Sequence, residues 1–125
     1  MKEIIFTFML LLEFTMAKDY FYKDDKKIVI EKVGMSNIKN IEYYKTEEGI
    51  FLGISDKIIV KMKDIDFLEK YIQKYNISMQ KKISKNLYLI QVKDRSKTLH
   101  VANELHEEED VEYAQPDFIK KRILR

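Results

Sequence analysis

The chain has 125 residues, of which 46% are hydrophobic and 35% charged, a composition typical of a folded domain rather than a disordered chain. The 23 basic and 21 acidic residues leave a formal net charge of +2, which lacks the concentrated positive charge of a nucleic-acid-binding domain. The absence of cysteine excludes disulfides, thiolate nucleophiles and cysteine metal sites. The length allows one domain with a short extension.

The N-terminus has the order of a secretory signal peptide. Lys2 precedes an apolar run at residues 4–12, and Ala17 supplies a small residue at a cleavage position. The run is too short for a membrane-spanning helix, which needs about 20 residues. We therefore expect residues 1–17 to be a signal peptide and the protein to be secreted or periplasmic, without a stable membrane anchor after cleavage. The competing interpretation is a buried helix or first strand of a cytosolic protein.

Residues 18–55 predict a β-rich N-terminal extension. Two β-prone runs, residues 20–22 and 28–33, flank the charged turn KDDKK. A second pair, residues 41–45 and 49–54, flanks the sequence TEE. Each pair predicts a hairpin.

Residues 56–118 predict six further elements. The alternating sequence KIIVKMK indicates a strand, and DIDFLEKYIQKYN indicates a helix that Asp64 or Asp66 can cap. Two strands, ISMQKKIS and NLYLIQVK, precede a second helix that starts at Ser96 and ends near the acidic run at residues 107–110. VEYAQ is the last strand.

The order strand, helix, strand, strand, helix, strand predicts an α+β protein with a ferredoxin-like βαββαβ fold, preceded by a small β-hairpin extension. In this fold the two helices cover one face of a four-stranded antiparallel sheet. The other face stays open, and function in this fold often lies there. Pro116 ends the last strand, because proline has no N–H for a strand ladder.

No group of residues predicts catalysis or a metal site. His100 and His106 are six positions apart, which does not align them on one helix face, so both are interpreted as surface histidines. The acidic run at residues 107–110 lacks the alternating oxygen ligands of a calcium loop, and is interpreted as a solvated helix end. No glycine-rich phosphate loop and no paired nucleophile and base are present. We expect no enzyme activity, no cofactor, no metal and no nucleic-acid partner.

Residues 57–118 resemble the N-terminal propeptide domain of subtilisin-like serine proteases. The resemblance is carried by KIIVKMK, FLEKYIQKYNI, LYLIQV and, most specifically, VANELHEEEDVEYAQPDF. It implies an inhibitor and folding chaperone of a secreted subtilisin-like protease, acting in cis as part of a precursor or in trans. Its sheet face would bind the protease, and its C-terminal tail would enter the substrate cleft. Residues upstream look like the extension that precedes this domain in some bacterial secreted subtilases.

The resemblance also implies the binding residues. Those on the protease-binding surface would be Glu112, Tyr113, Gln115, Asp117 and Phe118. Asp117 matches one of two acids that cap protease helices in the family, whereas Gln115 stands where the second acid commonly lies, so its contact is expected to be weaker. Residues 119–125 would form a flexible tail without a partner strand. The residues of this tail that enter the substrate cleft would be Arg122, Ile123, Leu124 and Arg125.

Several alternatives stay open at this stage. The chain could be a free-standing inhibitor, a separately encoded folding factor, a propeptide cut from a longer precursor, or a non-functional remnant of a disrupted protease gene. An envelope interaction or structural domain is suggested by the Tyr- and Phe-rich residues 18–55. A cytosolic regulatory or RNA-binding domain would require that the apolar start be retained.

Overall fold

The computed structural model describes residues 19–36, 39–63 and 68–120 and shows an α+β protein with two antiparallel sheets and two helices, compatible with the expected ferredoxin-like fold. The elements are β1 (Asp19–Lys23), β2 (Lys26–Ser36), β3 (Ile41–Thr46), β4 (Phe51–Ile54), β5 (Lys57–Met62), α1 (Leu68–Tyr75), β6 (Ile77–Ser84), β7 (Leu87–Val92), α2 (Thr98–Glu107), β8 (Val111–Pro116) and β9 (Ile119–Lys120). Within these ranges, neither helix is long and apolar enough to cross a membrane.

The first sheet contains the strands of the N-terminal extension, in the order β1-β2-β3-β4-β9. Both predicted hairpins are present, because β1 pairs antiparallel with β2 and β3 pairs antiparallel with β4. The turn between β1 and β2 consists of Asp24 and Asp25, both with positive φ angles. Two central residues with positive φ form the turn that suits the twist of a hairpin, and aspartate tolerates this conformation.

The second sheet has the strand order β6-β7-β5-β8, and every neighbouring pair is antiparallel. Asn76 ends α1 in the left-handed conformation, as a helix C-terminus commonly requires. Asn86, also with positive φ, turns the chain from β6 into β7. Along the chain, the elements of this region follow one another as β5, α1, β6, β7, α2 and β8.

Both helices pack on the same face of the second sheet. Ile58 and Val60 of β5 and Ile90 of β7 have no exposed surface, because they face this layer of helices. The buried residues between this sheet and the helices form one apolar cluster, which consists of Ile58, Val60, Met62, Leu68, Tyr71, Ile77, Tyr88, Ile90, Val92, Val101, Ala102, Leu105, Val111 and Ala114. Burial of these apolar side chains is the main favourable contribution to folding.

Helix α2 lies between the two sheets and contacts both. Its residues Ala102 and Leu105 pack in the cluster on the second sheet. On another side, Leu99, Asn103 and His106 follow the i, i+4, i+7 spacing of one helix face and contact the first sheet. The Asn103 side-chain amide donates a 2.7 Å hydrogen bond to the Tyr20 carbonyl oxygen. The two sheets are thus held together through α2.

The start of the predicted tail differs from the expectation. Ile119 and Lys120 form β9, which pairs antiparallel with Gly53 and Leu52 of β4, so the absence of a partner strand is wrong for these two residues. The physical reason is that, without β9, the edge of β4 would leave backbone N–H and C=O groups unpaired, and an extended chain can form hydrogen bonds to these groups. The sequence pattern did not show this pairing, since the segment is short.

Several expectations lie outside the described residues. These are the signal peptide at residues 1–17, the caps Asp64 and Asp66, and the cleft-inserting residues Arg122, Ile123, Leu124 and Arg125.

The packing of α2 generates a prediction about stability. Leu105→Ala should lower the free energy of unfolding by about 2–5 kcal/mol, because Leu105 is completely buried and truncation leaves a cavity. Urea denaturation measures the loss. Met79→Ala serves as control, since Met79 is 48% exposed and its truncation should change stability little. Equal losses in the two variants would contradict the described core.

Candidate functional site

The face of the second sheet opposite the helices carries side chains that are only half-buried. They alternate along each strand with the fully buried core residues, as the pleat of a β-strand requires. We call this surface the open face. It consists of Lys57, Ile59 and Lys61 on β5, Leu87, Leu89 and Gln91 on β7, and Tyr113 and Gln115 on β8.

The centre of the open face is apolar. Ile59 lies directly opposite Leu89 on one side and Gln115 on the other, and Lys61 lies opposite Leu87 and Tyr113. An antiparallel sheet with one packed face commonly has a solvated, polar second face, so Ile59, Leu89 and Leu87 are unusual in this position. The helices cover one face of β5 and β7, so the open face has the character of a surface that receives a partner.

One end of the open face carries a polar network around Asp56. Its carboxylate accepts hydrogen bonds from the Lys57 ammonium at 2.8 Å and from the Gln91 amide, whose oxygen accepts a 2.7 Å bond from Gln80. Burial acts to raise the pKa of Asp56, but the hydrogen bonds from Lys57 and Gln91 outweigh it, and the pKa is lowered. The network fixes the start of β5 and orients Lys57.

At the other end of the open face lies Glu112. The pairing of β5 with β8 shifts register between Lys61 and Met62, which leaves Glu112 unpaired between Val111 and Tyr113. Its carboxylate is 3.8 Å from the Lys61 ammonium, and the side chains of Lys61 and Glu112 are 40% and 52% exposed. Glu112 is therefore accessible, and Tyr113 and Gln115 lie half-buried on the open face.

Asp117 directly follows the last strand of the second sheet. Its backbone N–H donates a 3.0 Å hydrogen bond to the Lys57 carbonyl oxygen, which fixes the position of the residue. Within residues 19–36, 39–63 and 68–120, its partly exposed carboxylate has no hydrogen-bond or ion-pair partner. A fixed backbone with an unpaired carboxylate is an arrangement that can accept hydrogen bonds from another molecule.

Phe118 occupies a different environment from the one expected of a protease-binding residue. Its ring packs edge to face against Phe21 with 4.6 Å between ring centroids. It adjoins the apolar cluster between the first sheet and α2, which contains Phe21, Ile30, Tyr44, Leu52, Ile54 and Leu99. An apolar ring gains more from this cluster than from solvent, so Phe118 anchors the chain between the sheets.

The acidic loop after α2 is not simply a solvated helix end. The Glu108 carboxylate accepts hydrogen bonds from the Lys74 ammonium at 2.8 Å and the Tyr75 hydroxyl at 2.9 Å. The bond from Lys74 holds the pKa of Glu108 below its usual value. The Tyr71 hydroxyl donates to Asp110 at 3.0 Å, and burial together with this bond raises the pKa of Tyr71 to about 12. These contacts tie α1 to the loop before β8.

The two histidines have different environments. His100 is exposed, as expected, but the interpretation of His106 as a surface histidine is wrong, because its side chain is only 7% exposed. The first sheet covers it: the ring stacks on Tyr22, and Nε2 lies 2.8 Å from Asp25 Oδ1. The Ala114 N–H donates to Nδ1 at 3.3 Å, so Nε2 is the nitrogen that donates to Asp25.

The apolar part of the open face was missed at the sequence level. The sequence pattern predicts strands for Leu87, Leu89 and Ile59 and indicates no function for them. A signal for them exists in LYLIQV, where apolar residues occupy both faces of one strand although helices can cover only one. In the described part of the chain, no group of three or more His, Asp or Glu side chains could hold a metal ion.

Residues 54–117 match the protein family described as the fervidolysin N-terminal prodomain. The matched stretch contains β5 to β8, both helices and the whole open face. No curated protein and no solved structure matches the chain.

The network at Asp56 generates a prediction about acid stability. Because the folded pKa of Asp56 lies below the ordinary value of 3.8, the carboxylate stabilises the fold above that pH. This contribution is lost as the pH falls through the folded value. Asp56→Asn should therefore be less stable at neutral pH but lose less stability on acidification than the wild type, measured by urea denaturation across the pH range. Glu109→Gln, at an exposed site, is the control, and its stability should change with pH as that of the wild type does. If the stability of Asp56→Asn also changes with pH as in the wild type, the prediction is wrong.

Proposed function

The chain belongs to the family of the fervidolysin N-terminal prodomain, a propeptide of a subtilisin-like protease, and we propose that it inhibits such a protease and assists its folding. Propeptide domains are typically non-catalytic, and the action proposed is binding alone. The open face contacts the protease, and the C-terminal tail occupies the substrate cleft. The protein acts outside the cytosol, in cis as a precursor segment or in trans.

The observation that carries the proposal is the apolar centre of the open face within the matched residues. Ile59, Leu89 and Leu87 are half-buried on a surface that helices leave uncovered. Complete burial of one such side chain contributes up to about 2 kcal/mol. A folded protease surface that covers this centre therefore gains affinity, and the same contact stabilises the protease surface during folding.

Asp117 supports the same proposal through its charge. Its carboxylate lies where the chain leaves the second sheet. The first N–H groups of a helix lack intrahelical partners and favour a negative charge, so a helix N-terminus of the protease is a suitable partner. Gln115, on the same strand, can accept a hydrogen bond but carries no charge, and contributes less.

The tail converts binding into blockade of the active site. An extended segment can add main-chain hydrogen bonds to a substrate cleft as an extra strand does, with side chains entering alternate subsites. We assign this role to residues 122–125. Fixing a residue in one backbone conformation costs about 1–2 kcal/mol of entropy, so we assign most of the affinity to the open face and Asp117.

The proposal predicts inhibition that depends on the open face. The purified protein should slow peptide hydrolysis by subtilisin-like proteases at micromolar concentrations and leave a trypsin-like serine protease unaffected. Ile59→Lys should weaken inhibition at least about tenfold, because a charge is buried against an apolar partner surface. The matched control is Ile50→Lys, since Ile50 is 48% exposed and lies in the first sheet's β3–β4 turn. No inhibition by the wild type, or equal weakening by both variants, would contradict the proposal.

Asp117 is tested by a pair of substitutions with opposite effects. Asp117→Ala should weaken the complex by roughly 0.5–2 kcal/mol if the carboxylate caps a protease helix. Gln115→Glu should strengthen it, because it adds a second charge near the same helix termini. Titration calorimetry at low and high salt measures both, and both effects should shrink at high salt. If Asp117→Ala binds as tightly as the wild type, the capping role is wrong.

A further inference from the structure

The segment that follows the second sheet is bound by the first sheet. After Asp117, the Phe118 ring packs on Phe21 of β1, and Ile119–Lys120 pairs with β4. Phe21 is 6% exposed, so this ring contact lies inside the protein. The root of the tail therefore has both side-chain and main-chain partners on the first sheet.

Gly53 of β4 makes this pairing possible. A Cβ atom at position 53 would lie 3.1 Å from the Ile119 carbonyl oxygen, 3.0 Å from Ile41 Cγ2 and 3.2 Å from Tyr43 Cε1. Such distances are shorter than ordinary van der Waals contact, so β9 approaches β4 closely because residue 53 has no side chain. Gly34 of β2, in the same sheet, has no atom within 4 Å of a Cβ at its position. Close approach is thus a specific property of Gly53.

We propose that the first sheet is a positioning element for the tail: Phe21 and Gly53 hold residues 118–120 and so fix the point and direction in which the chain leaves the domain. We call these contacts the tail clamp. The inference rests on the proposed function, because fixing the tail matters only if the tail has a target. It gives the N-terminal extension a role that the βαββαβ fold itself does not supply.

The physical basis is preorganisation. A tail whose first residues are already ordered loses less conformational entropy on entering a cleft than a tail that is free from residue 117 onward. The clamp also fixes the direction in which the backbone leaves Lys120, which reduces the conformational freedom that is lost when the tail is bound. Loss of the clamp should therefore weaken inhibition without weakening binding of the open face.

The test separates these two quantities. Inhibition constants are measured with an active subtilisin-like protease, and dissociation constants with the same protease after covalent blockade of its active site, where the tail has no cleft to enter. Gly53→Ala should raise the inhibition constant about tenfold and leave the dissociation constant unchanged. Gly34→Ala, the matched control, should change neither.

The clamp itself is checked in the free protein by amide hydrogen exchange. Gly53→Ala should increase exchange at β4 and β9, and Gly34→Ala should not. If Gly53→Ala does not fold, Phe118→Ala serves the same comparison, since it removes the ring contact with Phe21 and leaves the open face intact. If the clamp variant inhibits the protease as strongly as the wild type or more strongly, the first sheet does not position the tail. A wild type that neither binds nor inhibits overturns the proposed function instead.

Discussion

One continuous segment belongs to both sheets, and the rest of the structure depends on this sharing. Val111–Pro116 forms the edge of the second sheet, and Ile119–Lys120 forms the edge of the first. Between them, the Asp117 N–H bonds to β5 and the Phe118 ring enters the cluster beneath β1. Because α2 packs on both sheets as well, neither sheet can move without disturbing the other's core.

This arrangement determines which surface is available to a partner. The helices cover one face of the second sheet, and the first sheet packs on α2 through Leu99 and Asn103. The open face is left with an apolar centre. The first sheet is accordingly part of the scaffold, since removing it would expose Leu99 and Phe118. These contacts favour a scaffold role for residues 18–55 over an independent envelope-binding module.

The sequence predicted what local pattern and turn chemistry determine. Alternation in KIIVKMK and helical spacing before Asn76 determine element type, and the positive φ angles of Asp24 and Asp25 fall at the predicted KDDKK turn. Local pattern did not predict the docking of the first sheet on α2, because the contact of His106 with Asp25 joins residues 81 positions apart. The pairing of Ile119 was missed for the same reason: it depends on an edge that exists only in the assembled sheet.

The central claim, that a subtilisin-like protease binds the open face, is tested most directly by methyl NMR of the labelled protein with an unlabelled, active-site-blocked protease. Neighbouring residues on β5 and β7 supply internal controls, since Ile59 and Leu89 lie on the open face whereas Ile58 and Ile90 lie in the core. The account predicts that the methyl signals of Ile59 and Leu89 shift or broaden strongly, and that those of Ile58 and Ile90 change little. Strong changes confined to the first sheet, or equal changes on both faces of the second, would contradict it.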